Sequence, residues 1–573
     1  MPVSSDFRRQ KRSFQRRTEI GFCLLILFFW CAGCTPPVLP GFSPVTPTRT
    51  PFRPITLTPT PSPSPTLTPS PSPVPSSTPE TQGIWAAPAV PQSLKSRIIL
   101  PASWQWVDHP QEARLRLEPA PIENAPIRWV YAVVAPFPTL TDGISLEELR
   151  KAWRGQFHTP FGDRPLWVAE TTRQLLTYFW GAPAGDVRVV GSDELVDTAW
   201  QDHTWSVIPF EELEPRWKAL QVDGSSVLVR GDLQGYPLVF GFQLSGDSHE
   251  LEQFLRDGGN FPATNRDPSR LTVVLMTGTT ALVRATGWRM ESVGLDYPAR
   301  DIKDWLLEPD FTHISNEVSF NPACPSADPF QASLMFCSRP EYIQLLDTIQ
   351  PEIIELSGNH NNDWGREAFL YSLELYRQRG WHWFAGGANS DEASRPLIIE
   401  HHGNRLAFLG CNLAGPPSAW ATETLPGAAR CDLEAFAREI GDLRGQGILP
   451  VMTFQYNEIY VPYPSEAQTR DFKAMNAAGA VVVSGSQAHF PQGFDLERDG
   501  LIHYGLGNLF FDQMDTPVDG TRREFLDRHL FYDGRYLGVE LLTAMLEDYA
   551  RPRPMTPEER SAFLQEIFSA SGW

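Results

Sequence analysis

From Leu271 onward, short and nearly continuous apolar runs alternate with polar loops and helices. LTVVLMTG, FTHISNEV, EIIELSGN, ILPVMTFQYN, AVVVSGSQAHF and LIHYGLGNLFF all read as strands. Runs that are apolar on both faces belong to sheets covered on both sides. PLIIEHHGNRLAFLGC predicts a hairpin with Gly403 and Asn404 at its turn. REAFLYSLELYRQRG is the clearest helix, with Ala368, Tyr371 and Leu375 on one face and Gly380 closing it. The pattern predicts an α/β domain over residues 266–515 that carries its polar residues at strand ends.

A smaller α/β domain is expected over residues 83–265. Its strands include IRWVYAVVAPF and SSVLVRG, and SLEELRKAWRG repeats Leu146, Leu149 and Trp153 at helical spacing. After Asp515, residues 516–573 read as a short strand pair and a closing helix packing on the preceding domain. Thr556, followed three residues later by Glu559, suits a capping box. Arg522, Arg523, Arg551 and Arg553 form a local basic cluster there, read first as solvated surface charge and otherwise as a contact for an anionic polymer.

The first 82 residues are of a different kind. Arg8, Arg9, Lys11, Arg12, Arg16 and Arg17 precede the apolar run IGFCLLILFFWCAG, which is shorter than the roughly 20 apolar residues a bilayer-spanning helix needs. Residues 1–34 therefore read as an export signal, and CAGC resembles a bacterial lipoprotein signal with Cys34 as the lipidated residue. An uncleaved signal anchor is the alternative, and either reading places the bulk of the chain outside the cell at the membrane surface. Residues 35–82, rich in Pro, Thr and Ser, form an extended spacer with almost nothing to bury.

Cysteine usage agrees with export: beyond the signal, Cys324, Cys337, Cys411 and Cys431 make an even number. Sequence neighbours suggest Cys324 with Cys337 and Cys411 with Cys431, among three possible connectivities. At 573 residues the chain has room for two or three compact units. Its formal net charge of -20 argues against nucleic acid as a partner, because phosphate neutralisation needs basic surface. No serine-hydrolase elbow, phosphate-binding P-loop or dinucleotide fingerprint occurs in a fitting context.

In open α/β sheets, ligands gather at the carboxyl ends of the strands. The stretch ELSGNHNNDWG delivers Asn359, His360 and Asp363 to such an end. Asn359 and His360, with a carboxylate from elsewhere, suit a zinc, manganese or iron ion. Asp363 either orients His360 or caps the helix that follows. Other strands end in His313, Asn316 and Glu317, in Gln455 and Glu458, in Gln487, His489 and Gln492, and in His503, Asn508 and Asp512.

The order of these segments, from about Leu271 to Gln513, resembles the CapA family of capsule or poly-γ-glutamate synthesis proteins, whose domain is similar to calcineurin-like metallophosphoesterases. ELSGNHNNDWG corresponds to the family's Asn-His followed by Asp and Gly, and HISNEVSF to its Asn-x-Glu region. AAGAVVVSGSQAHFPQGFDLERDGLIHYGLGNLFF corresponds to its Gly-Ala, Gly-x-His-Pro-His and Tyr-Ser-Leu-Gly-Asn-Phe sequence. Thr279 stands where the family's first aspartate would be, Gln455 begins the segment replacing His-Trp-Gly, and Gln487 replaces the first histidine of Gly-x-His-Pro-His. More weakly, TWSVIPFEELEPRWKALQVDG and YPLVFGFQL resemble pieces of phosphate-binding-type solute-binding proteins.

The resemblance implies a metallophosphatase-like layered sheet; with these departures its site holds either one divalent ion, on Asn359, His360, His489 and Glu317, or none. His360, His489 and Asp363 would be its acid–base residues, with Gln455, Glu458, Gln487 and Asn508 facing substrate. Two ions held close together need several anionic ligands, which Thr279 and the glutamines do not supply. The leading expectation is a membrane-anchored protein that makes, handles or anchors an anionic extracellular polymer, with the polymer or its membrane synthase complex as partner. A divalent-metal phosphoesterase and a non-catalytic ligand-binding protein are the alternatives.

Overall fold

The computed structural model describes residues 81–156, 160–497 and 499–573, all within one compact unit. The export signal, Cys34 and nearly all of the spacer lie outside the described residues.

The first sheet has ten strands, all drawn from residues 82–246. Ile127–Pro136 is its spine, pairing antiparallel with Val239–Gly246, Trp205–Pro209 and Trp217–Val222. Its apolar run is buried over nine of ten positions, as expected of a central strand. The helix Leu146–Trp153 starts at a full capping box between Ser145 and Glu148 and buries Leu149 and Trp153. SSVLVRG does not become a strand: apart from one bridge at Ser225 it runs as turns. The buried guanidinium of Arg266 donates to the carbonyls of Val227, Val229 and Gly231, so the segment satisfies its backbone without a neighbour strand.

Beyond Leu271 lie a two-stranded pairing of Gly386–Gly387 with Gly427–Ala428 and two larger sheets. One has the path His382–Phe384, Ile353–Glu355, Phe311–Asn316, Leu271–Thr277, Arg523–Tyr532, Arg535–Glu547 and Arg551–Pro554. The other runs Leu397–His401, Asn404–Asn412, Leu449–Gln455, Val482–Ser486, Gly500–His503 and Phe494–Glu497. In each sheet a parallel block carries loops to one rim. One core joins them: Val274, Met276 and Ile353 from the first pack with Phe408, Val451 and Val482 from the second. Leu271, Val273 and Tyr532 belong to the core of the ten-stranded sheet, so packing is continuous through the described residues.

Three expectations change in detail. The C-terminal strand pair is long, ten and thirteen residues, and Arg523–Tyr532 pairs along all of Leu271–Thr277, so the segment is built into the sheet. The hairpin turn is His402 and Gly403, at φ +49 and +77, because His401 pairs with Asn404. The helix Arg366–Arg379 ends at Gly380 as expected, but its buried face is Ala368, Phe369, Ser372, Leu373 and Tyr376. The capping box at Thr556 is present. Disulfides join Cys324 to Cys337 and Cys411 to Cys431. No helix among the described residues is long and apolar enough to cross a membrane.

Candidate functional site

The two parallel blocks bring their carboxyl-end loops together. Thr279 and Thr280 follow Leu271–Thr277, Glu317 follows Phe311–Asn316, Asn359 and His360 follow Ile353–Glu355, Gln455 ends Leu449–Gln455, and Gln487 follows Val482–Ser486. Close approach depends on Gly358, where an added Cβ would sit 2.5 Å from Glu317 Cα and 2.8 Å from Glu317 O. No side chain fits there without moving backbone.

Gln455 is the hub. Its Nε2 donates to Asn359 Oδ1 at 3.0 Å and to Gln487 Oε1, and lies 3.5 Å from Glu317 Oε1. Ser486 Oγ donates to Gln455 Oε1 at 2.6 Å. Among the described residues, the amide nitrogens of Asn359 and Gln487 donate to no protein acceptor, and Glu317 Oε2 and the Thr279 and Thr280 hydroxyls are buried without a partner. Gln487 and His489 both hold positive φ, +75 and +52, so this loop is bent to present them.

His360 lies beside the hub. Its Nδ1 meets Asp363 Oδ2 at 2.7 Å, and its Nε2 is 4.0 Å from Glu317 Oε1. Burial works against its charged form, but the Asp363 hydrogen bond and the fields of Glu317 and Asp363 outweigh it, so its pKa is raised. Asp363 also accepts from the Phe336 backbone N–H at 2.8 Å, while the following helix starts at Gly365 with no side-chain cap. Of the two readings of Asp363, the geometry supports orientation of His360.

The other expected residues have partners of their own, and Asn508 stands at the same rim, paired in register with Thr279. His489 Nδ1 bonds Asn508 Oδ1 at 2.8 Å, and Asn508 Nδ2 reaches back to the carbonyls of His489 and Thr521, so this pair closes its own loop. Glu458 is exposed and bonded to Tyr460. Gln492 donates to the Val461 and Tyr463 carbonyls. His313 and His503 are buried within strands, bonded to Glu355 at 3.1 Å and Asp527 at 2.5 Å. Asp512 pairs with Arg284, whose guanidinium lies over Phe336 and Phe511. Arg284 was not anticipated from sequence, since nothing in ALVRATG marks a cation brought to a rim formed mainly by other strands. The four arginines of the C-terminal cluster are half-buried and all ion-paired, to Asp515, Glu566, Asp301, Glu547 and Glu559, so they are less solvated than the sequence reading expected.

These residues do not fit a two-metal centre. Thr279 and Gln487 bring no charge, Asn359 Oδ1 already accepts a hydrogen bond, and the two carboxylates beside His360 are Glu317 and Asp363, the latter engaged by His360 Nδ1 and the Phe336 N–H. Among the described residues, a metal-ligand grouping of His and Asp occurs instead at Asp310, His401 and His402.

Residues 273–513 match the family described as bacterial capsule synthesis protein PGA_cap. The capsule biosynthesis protein CapA of Bacillus anthracis is 24% identical over 259 residues, 44% of this chain and 62% of that protein. The chain thus spans less than two thirds of the length of the curated relatives it matches. Among solved structures, a 5'-nucleotidase precursor from Thermus thermophilus is 14% identical, covering 53% of this chain and 58% of that one with a TM-score of 0.29. An ABC-type phosphate transport receptor from Vibrio cholerae is 12% identical, covering 26% and 74% with a TM-score of 0.21. The CapA resemblance read between Leu271 and Gln513 is upheld over nearly the same residues.

Proposed function

We propose that this chain, with its capsule-synthesis-family segment at residues 273–513, works outside the cell in making or handling an anionic polymer of the poly-γ-glutamate kind. We further propose that its strand-end cluster grips polymer instead of cutting a phosphoester. The observation that carries this is the amide hub: Gln455 holds Asn359 and Gln487 by their oxygens, which leaves both amide nitrogens free to donate. A polyamide with pendant carboxylates offers acceptors of two kinds. Amide N–H groups suit its chain carbonyls, and a protonated His360, steadied by Asp363, suits its carboxylates. Export and tethering through Cys34 are part of the same proposal; the two disulfides support an oxidising location.

The test is titration calorimetry of the soluble chain from Gln82 with poly-γ-glutamate in the presence of a chelator. Saturable binding, weakened about tenfold in His360→Ala and in Gln487→Leu, is the expected result. Absence of binding by the wild-type chain, together with metal-dependent release of phosphate from a phosphoester substrate, would overturn the reading in favour of a phosphoesterase.

A further inference from the structure

A second group of side chains converges at the amino ends of the same parallel strands, away from the amide hub. Asp310 immediately precedes Phe311–Asn316, His401 ends the first strand of the hairpin, and His402 begins its turn. One ligand atom from each lies within 4.8 Å of the other two.

Proton bookkeeping fixes how the imidazoles point. His402 Nδ1 lies 2.6 Å from the Leu271 carbonyl, which can only accept, so Nδ1 carries the proton and Nε2 keeps its lone pair. For His401 the partner is Thr272. The threonine hydroxyl lies 3.0 Å from His401 O and 3.1 Å from His401 Nδ1 and accepts from Asn404 Nδ2 at 3.0 Å; with its one proton on His401 O, a lone pair faces Nδ1. In that arrangement His401 also carries its proton on Nδ1 and keeps the Nε2 lone pair, and its ring lies against that of His402 with centroids 3.7 Å apart. An imidazole anchored through Nδ1 by a protein oxygen is the arrangement that orients a ligating histidine. Asp310 Oδ2 accepts from the Val273 N–H at 2.8 Å, and Oδ1 meets Arg230 at 2.6 Å, which leaves each oxygen a second lone pair. Among the described residues, Arg230 is the cation that competes for Asp310.

We propose that Asp310, His401 and His402 form a binding site for one divalent transition-metal ion of the zinc class. Two imidazole nitrogens and one carboxylate oxygen suit that class, and three protein ligands leave a further position for water or an outside ligand. His402 is exposed, so an ion reaches the site from solvent. The site is independent of the amide hub and stands or falls without it.

The soluble chain from Gln82, free of any histidine tag and stripped with a chelator, is titrated with zinc, and bound metal per chain is read by elemental analysis after gel filtration. The same samples are melted with and without zinc. One ion per chain is expected, with a zinc-dependent rise in melting temperature. His401→Gln and His402→Asn should lose both; asparagine is chosen because it tolerates the left-handed backbone of the turn. Thr272→Val, which removes the acceptor orienting His401, should weaken zinc about tenfold. Arg230→Met should tighten it, and Glu317→Gln at the hub should leave it unchanged. The proposal is overturned if the wild-type chain retains no zinc, if folded His401→Gln and His402→Asn chains retain it in full, or if Glu317→Gln alone abolishes it.

Discussion

At the carboxyl ends of the parallel strands, polar side chains spend their acceptors on one another: Gln455 joins Asn359 and Gln487, and the outward-facing groups are N–H donors. At the amino ends, Leu271 O and Thr272 Oγ1 take the imidazole protons of His402 and His401, and the outward-facing groups are lone pairs. One rim is thus built to donate and the other to accept. The donor rim suits carbonyl and carboxylate oxygens, and the acceptor rim suits a cation. At the carboxyl rim the side-chain amides of Gln455 and Gln487 bring neither anionic charge nor an imidazole nitrogen.

The comparison is broken most severely by Gly358→Ala. Its Cβ would press on Glu317 backbone at 2.5 Å, and a loss of about 3 kcal/mol in denaturant unfolding is expected, with zinc binding at Asp310, His401 and His402 retained in the folded fraction. Asn404→Ala attacks the other rim. Asn404 is fully buried, donates to Arg270 O and Thr272 Oγ1, and accepts from the Gly534 N–H at 2.8 Å; a loss of about 2 kcal/mol is expected, with polymer binding at the hub unchanged.

Asp363→Asn is sharper and smaller. The folded-state pKa of His360 is raised, so its stabilising contribution is complete below the unfolded histidine value of about 6.5 and disappears as pH rises through the folded value. Removing the Asp363 charge should cost about 1 kcal/mol at pH 5.5, and the gap to wild type should narrow on the alkaline side; a gap that widened instead would show that the ion pair does not set the shift. Least of all, Arg405→Ala removes an exposed cross-strand pair with Glu400 on the hairpin that carries His401. A change within about 0.5 kcal/mol is expected by thermal melting.

Much of this was legible in the sequence where local rules decide. The apolar runs from Leu271 onward became strands, and Thr556 caps the helix it precedes. The hub residues Glu317, Asn359, His360, Gln455 and Gln487 were visible as polar strand ends, and the structure brings them together. Long-range partners escaped. SSVLVRG has strand composition, but Arg266, 37 residues from Val229, supplies its carbonyl partners. His401 and His402 lie in a stretch that reads as an ordinary hairpin, and Asp310 is about ninety residues upstream, so no spacing rule links them. Their meaning depends on Thr272 and Leu271, residues that look like plain strand.

The hairpin Arg523–Glu547 also bears on the order in which the molecule can be assembled. Arg523–Tyr532 pairs with Leu271–Thr277 across some 250 residues of intervening chain. As the chain emerges from N- to C-terminus, Leu271–Thr277 leaves first and must wait as an open edge with unpaired backbone until the hairpin follows. A chain stopped at Asp515 would keep every residue of the amide hub and still lack the strand that covers this edge. Completion of this sheet therefore waits for the hairpin, and until then the edge of Leu271–Thr277 is open to mispairing with other chains.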